Sequence, residues 1–366
     1  MSWKLSLFRA QDLVEVRSRE EILATLDAEG CVDGMPFMPE MLQFCGRTIP
    51  VSAVAHKTCD VAMKTRKARR LDTMVHLENA ACDGSAHGGC QADCNLFWKD
   101  VWLKPATSDG SAPRSSAGPI PLARAPHISE EDLVRLTVKE PGGEKGPVYS
   151  CQATMLFDAT EPLAWWNPRQ YLLDITTGNH SVAHVLRVLV IAWLRVLTVR
   201  APRGYRVLSA VHAWAHRILV GRELPFFDGR IPAGQRTPVE ALGLQPGERV
   251  RIKSKAEIEE TLDAKGLNRG LYADIELAPF CGTVATVKKA ATRFIDDSTG
   301  LMQYPKQPCI VLDRVACLGE YSDCRLLCPR AIPSYWREIW LERVETGTLP
   351  VGEANGSPAA SAGSKA

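Results

Sequence analysis

Hydrophobic positions along this chain follow two different rhythms. Short runs of strand character, Leu13 to Arg17, Thr48 to Ala55 and Val75 to Glu78, recur later as Arg249 to Lys253, Thr283 to Val287 and Ile310 to Val315. A helical signal follows the first strand of each set. Ser18 with Glu21, and Ser254 with Glu257, have the spacing of a capping box, and Ile22 with Leu26, or Ile258 with Leu262, then share one helical face. Gly30 and Gly266 are placed to end these helices, because glycine tolerates the left-handed conformation at a helix C-terminus. The middle of the chain is different. His180 to Val199 and Tyr205 to Val220 are long apolar stretches joined at Ala-Pro-Arg-Gly, which predicts a helical hairpin.

These matching patterns belong to an internal repeat. Ser18 to Gly46 aligns without a gap to Ser254 to Gly282, and both copies end in Phe-Cys-Gly. Downstream, Cys82, Cys90 and Cys94 parallel Cys317, Cys324 and Cys328, while Trp98 and Trp102 parallel Trp336 and Trp340. The predicted organisation is module A over 12–105, a Pro/Ser/Gly-rich linker over 106–129, a mostly helical middle region over 130–222, module B over 240–346, and a disordered tail over 351–366. The opening of module B, Pro-Gly-Glu-Arg-Val-Arg-Ile, resembles the first strand of SH3-like barrels. The expected fold class is therefore α+β, with two homologous small β-barrel-like modules, each carrying an inserted helix.

Composition narrows the chemistry. The chain has 366 residues, of which 45% are hydrophobic and 23% charged, as expected of two or three folded domains. A net charge of +2 gives no specific nucleic-acid signal, and the one basic run, Lys64 to Arg70, reads as a solvated loop. In the middle region, arginines lie beside Leu, Val and Trp over 180–220, which leaves open peripheral contact with a membrane as well as internal packing. The N-terminus lacks a long apolar core and a small-residue cleavage site, so a cytoplasmic location is expected. There the twelve cysteines stay reduced and read first as metal ligands or redox groups.

The repeat selects four cysteines per module: Cys45, Cys82, Cys90 and Cys94 in A, and Cys281, Cys317, Cys324 and Cys328 in B. A single buried cysteine is often just a small core residue, but no packing rule calls for eight at matched positions. Each set is one remote thiol plus a cluster of three. That layout suits an iron-sulfur cluster better than zinc, whose structural sites usually combine two short chelating pairs. Cys324-x3-Cys328-Pro329 resembles the ending of a bacterial ferredoxin motif, although the preceding C-x2-C-x2-C run is missing. A helix through Cys90 and Cys94 would bring both sulfurs to one metal.

Module A alone has His56, Cys59 and His87. His87 stands between two expected ligands, as an alternative ligand, proton donor or substrate contact, whereas His56 and Cys59 are candidates for a catalytic base and nucleophile that read first as a surface histidine and an inert thiol. Trp165 and Trp166 before Asn167-Pro168 mark a helix boundary and are expected in the core. P-loop, G-x-S-x-G and H-E-x-x-H motifs are missing. The sequence therefore points to a metalloprotein with two four-cysteine sites. One reading is an iron-sulfur protein in a redox or biosynthetic accessory role, with a protein redox partner or a small-molecule substrate. The alternative is a zinc-stabilised, non-enzymatic binding scaffold.

Overall fold

The computed structural model describes residues 3–60, 67–106, 128–144, 146–200, 205–321 and 326–344. The predicted tail, and nearly all of the predicted linker, lie outside this set. The described chain is mixed α+β with several small antiparallel sheets, and none of them closes into a barrel among the described residues.

Two compact units form, and neither is continuous in sequence. Unit 1 takes Met1–Asn179 together with Thr292–Lys306 and Ser322–Ile332; unit 2 takes His180–Ala291, Gln307–Tyr321 and Pro333–Ala366.

In unit 1 the alternation of Leu13–Val16 buries Val14 and Val16 fully and lets the strand pair on both sides, with Thr48–Val54 and with Leu103–Pro105. Met74–Leu77 and Trp98–Lys99 extend this sheet beyond Thr48–Val54, making five strands. Helix α1 (Arg19–Leu23) begins at the predicted capping box, with Ser18 accepting from the Glu21 N–H and Glu21 from the Ser18 N–H. It is only five residues long. Gly30, at φ 72°, does not end it, but instead closes a turn by donating to the Asp27 carbonyl before the short strand Cys31–Val32.

Trp98 and Trp102 are fully buried in the core against Phe37, whose ring centroid lies 6.3 and 5.2 Å from theirs in edge-on contact. Truncating either tryptophan to Ala should cost about 3–5 kcal/mol, as large aromatic deletions in cores do, and urea unfolding monitored by circular dichroism measures it. Three more helices, α2 (Glu130–Leu136), α3 (Gln152–Met155) and α4 (Pro168–Thr176), complete this unit.

Two expectations are corrected here. Ala68–Arg70, at the end of the basic run, is a strand between Lys57–Cys59 and Glu161–Leu163, and Arg69 is buried, donating to Thr160 and to the Phe157 carbonyl. Asn167 does cap α4 as predicted, but Trp166 is 70% exposed.

In unit 2, α5 (Val182–Arg200) and α6 (Tyr205–Val220) form the predicted hairpin, followed by the short α7 (Lys255–Glu259) with its Ser254/Glu257 capping box. The five-stranded sheet of this unit runs in the order Pro333–Trp336, Cys309–Ala316, Val284–Ala291, Arg249–Ile252, Leu341–Arg343. In unit 1 the repeat-matched strands have the same order.

Candidate functional site

One loop of unit 1, from Ala81 to Asn95, gathers most of the groups that can carry chemistry. Its ends are fastened by a bridge between Ala81 and Asn95, and the Cys82 N–H donates to the Cys94 carbonyl at 2.8 Å. Within it the Gly84 carbonyl accepts from the N–H groups of His87 and Gly89 at 3.2 and 2.9 Å. Gly84 sits at φ 73°, and a Cβ built on it would lie 2.0 Å from the Cys90 carbonyl oxygen. Any other residue there would force the loop apart. The segment is irregular rather than helical, so it is the turn, and not an i,i+4 helical spacing, that faces its sulfurs inward.

His87 is the centre of the arrangement and is 2% exposed. Its two ring nitrogens have different neighbours: Nδ1 lies 2.7 Å from Glu40 Oε1, and Nε2 lies 3.7 Å from Cys82 Sγ. The Glu40 oxygen, the Cys82 sulfur and a His87 nitrogen all lie within 4.8 Å of one another. Cys90 belongs to the same loop, and its sulfur accepts from the Ile295 N–H at 3.4 Å. Glu40 comes from the 3-10 helix Pro39–Phe44 and is fixed by accepting the Ala86 N–H at 2.9 Å, while its other oxygen, Oε2, is buried with no hydrogen-bond partner.

The electrostatics follow from these contacts. Burial opposes charge on His87, but the Cys82 sulfur and the Glu40 carboxylate beside its two nitrogens outweigh it and hold the imidazole pKa above its ordinary value. For Cys90, burial alone would raise the pKa, yet bonding to His87 and to backbone N–H groups brings the thiol below its usual range. Burial dominates for Cys94 and Cys151, whose thiols are both pushed up.

A cavity of about 30 Å³ adjoins the cluster, bounded by Cys82, His87, Cys90, Cys94, Cys151 and Arg330. Cys82, Cys90, Cys94 and Cys151 carry free thiols. Arg330 is 3% exposed and pairs with Asp297 at 3.5 Å, leaving Nη1 buried without a hydrogen-bond partner.

The other residues singled out by the sequence lie elsewhere. Cys45 caps the end of the Glu40 helix, packs against the core and does not line this cavity; burial pushes its thiol up to about 11. In the second copy, Cys281 takes the same capping position, with its thiol pushed up to about 12, and Cys317 follows the strand Cys309–Ala316. Both belong to unit 2, Cys328 belongs to unit 1, and Cys324 lies outside the described residues. His56 is buried rather than on the surface, with Nε2 3.2 Å from Asp174, and Cys59 is buried in the strand Lys57–Cys59.

Sequence reasoning missed Glu40, Asp297 and Arg330; Cys151 stood out in the sequence but was given no role. For Glu40 a signal existed, because the gapless repeat aligns it with Glu276. Glu276 is likewise buried and accepts the Tyr321 N–H at 2.9 Å, in the loop that corresponds to that of Ala86. The two carboxylates thus brace matching loops, and the position of His87 is taken by Ser322 in the second. Comparison with known protein families, characterised proteins and solved structures returns no match.

Proposed function

We propose that unit 1 is a metalloprotein domain binding one metal ion of the zinc class, through the thiolates of Cys82 and Cys90 and Nε2 of His87. The observation that carries this reading is the division of His87, with Nδ1 against a buried carboxylate and Nε2 towards sulfur. A metal-ligating histidine typically has that arrangement, because the carboxylate fixes the tautomer and aims the free nitrogen at the ion. Sulfur and imidazole are donors that zinc favours, and three protein ligands leave a fourth position for water or substrate. That position would face the cavity bounded by Cys94, Cys151 and Arg330, which has room for a water molecule within reach of the unpaired guanidinium Nη1.

The cavity is about the size of one water molecule, which favours a single ion over a cubane cluster. One observation supports a second reading, an iron-sulfur centre with a redox partner: Cys82, Cys90, Cys94 and Cys151 all line the same cavity. The free thiols suit a reducing compartment such as the cytosol. The shared strand order of the two sheets supports a duplication of one ancestral module.

Metal analysis of the native, anaerobically purified chain tests the proposal. Colourless protein with zinc bound in unit 1 is expected; visible absorbance that bleaches with dithionite, with iron and sulfide in similar amounts, would sink it. Gly84→Ala, by displacing the Cys90 backbone, should lower the zinc retained on dialysis at least tenfold, in line with the cost of disturbing a ligand-orienting shell.

A further inference from the structure

The helical hairpin of unit 2 presents an apolar face that its own unit does not cover. Along α5, Leu186, Val190 and Trp193 recur at spacings of four and three, and along α6 Val207, Trp214 and Ile218 fall on one stripe; all six are exposed. Trp193 is 59% and Trp214 66% exposed, which is unusual for such large aromatic surfaces. A soluble domain tolerates scattered apolar residues, but two parallel stripes on adjoining helices mark a docking surface.

The polar groups of the hairpin point the other way. Arg187 donates to Glu320 at 3.1 Å, Arg195 donates to the Tyr321 carbonyl, and the His216 ring contacts the Arg222 carbonyl, all within unit 2. The inner side of α5 also buries Val185, Val188, Ile191 and Ala192. The helix is therefore committed to its unit along one flank, and only the opposite flank is available to a partner.

Charge identifies that partner. From Ile175 to Arg222 the sequence has no Asp or Glu but seven arginines; Arg187, Arg195 and Arg222 bond within unit 2, which leaves Arg200, Arg203, Arg206 and Arg217. Three of them, Arg200, Arg203 and Arg206, stand close together in the sequence where the two apolar stretches meet, and Arg217 is exposed on α6 beside Ile218. A second copy of the chain would set arginines against arginines. An anionic lipid surface would neutralise them while its acyl boundary accepts the tryptophans and aliphatic side chains. We propose that the outer face of α5 and α6 docks on the surface of a membrane containing anionic phospholipid, without crossing it.

The test uses the full chain with vesicles of phosphatidylcholine alone or mixed with phosphatidylglycerol. Expected are co-sedimentation with the mixed vesicles, a blue shift of tryptophan emission, at least about tenfold weaker binding to phosphatidylcholine alone, and loss of binding as salt is raised. Trp193→Glu combined with Trp214→Glu should abolish binding while leaving the circular dichroism spectrum and thermal transition unchanged. Should that variant misfold, Leu186→Gln combined with Ile218→Gln, which removes only exposed side chains, should weaken binding at least tenfold. The proposal is overturned if the parent fails to bind mixed vesicles, if a folded variant binds as well as the parent, or if sedimentation equilibrium shows the face closing a dimer that the variants dissociate.

Discussion

Removing the His87 ring should empty the proposed metal site. His87→Ala, purified beside the parent chain, is expected to retain less than about a tenth of its zinc, since one of three ligands is lost together with the group that bonds Cys90. Cys82→Ser should do the same. Glu40→Gln is more informative, because its amide can still accept the Ala86 N–H while losing the negative charge beside Nδ1. Affinity should fall about 10–100-fold with the fold intact, as when an outer partner of a ligand is changed. Competition with a chelator measures all three. Full zinc retention in His87→Ala would reject the mixed thiolate-imidazole site, and loss of metal in Cys94→Ser and Cys151→Ser with retention in His87→Ala would favour a cluster held by four thiolates.

The second large effect is expected far from that cavity. Lys57 and Asp174 form a 2.6 Å ion pair with side chains only 2% and 0% exposed, and the Lys57 ammonium also lies 4.9 Å from the centre of the Tyr171 ring. Burial already pulls the lysine pKa below its ordinary value against the opposing pull of Asp174. Asp174→Ala would leave both Lys57 and His56 without their carboxylate, and should destabilise unit 1 by about 3–5 kcal/mol. Replacing both partners, with Lys57→Met and Asp174→Leu, should recover most of that loss, because a well-packed apolar pair avoids the desolvation cost. Urea unfolding of the three chains decides the matter: equal losses in the single and double variants would mean that packing around Asp174, rather than its charge, matters.

What could be read in the sequence was mostly local. Ser18 and Glu21 are three residues apart and satisfy each other's backbone, so the helix start was visible without knowing the fold. The hairpin was legible because two long, mostly apolar stretches, broken only by isolated arginines, histidines and hydroxyls, leave few alternatives to packed helices. Helix length was not legible: Ile22 and Leu26 are both buried, yet only the first lies in α1, because Gly30 is taken up in a turn with Asp27. Arg69 looked like one more solvated cation, since its partners Phe157 and Thr160 lie about ninety residues away. The site itself divides in the same way. Cys82, His87 and Cys90 stand close together in sequence and drew attention, but Glu40 reaches the loop across a separation of 46 residues, and Arg330 comes from the far end of the chain.

The discontinuity of unit 1 has a consequence for biosynthesis. Ile295, which donates to Cys90, and Arg330, which borders the cavity, leave the ribosome long after the loop they join. A chain truncated before Thr292 should therefore lack both the Ile295 donor to Cys90 and the Arg330 wall of the cavity. The dependence runs one way: unit 1 takes Thr292–Lys306 and Ser322–Ile332 from the later part of the chain, whereas unit 2 takes nothing from before His180.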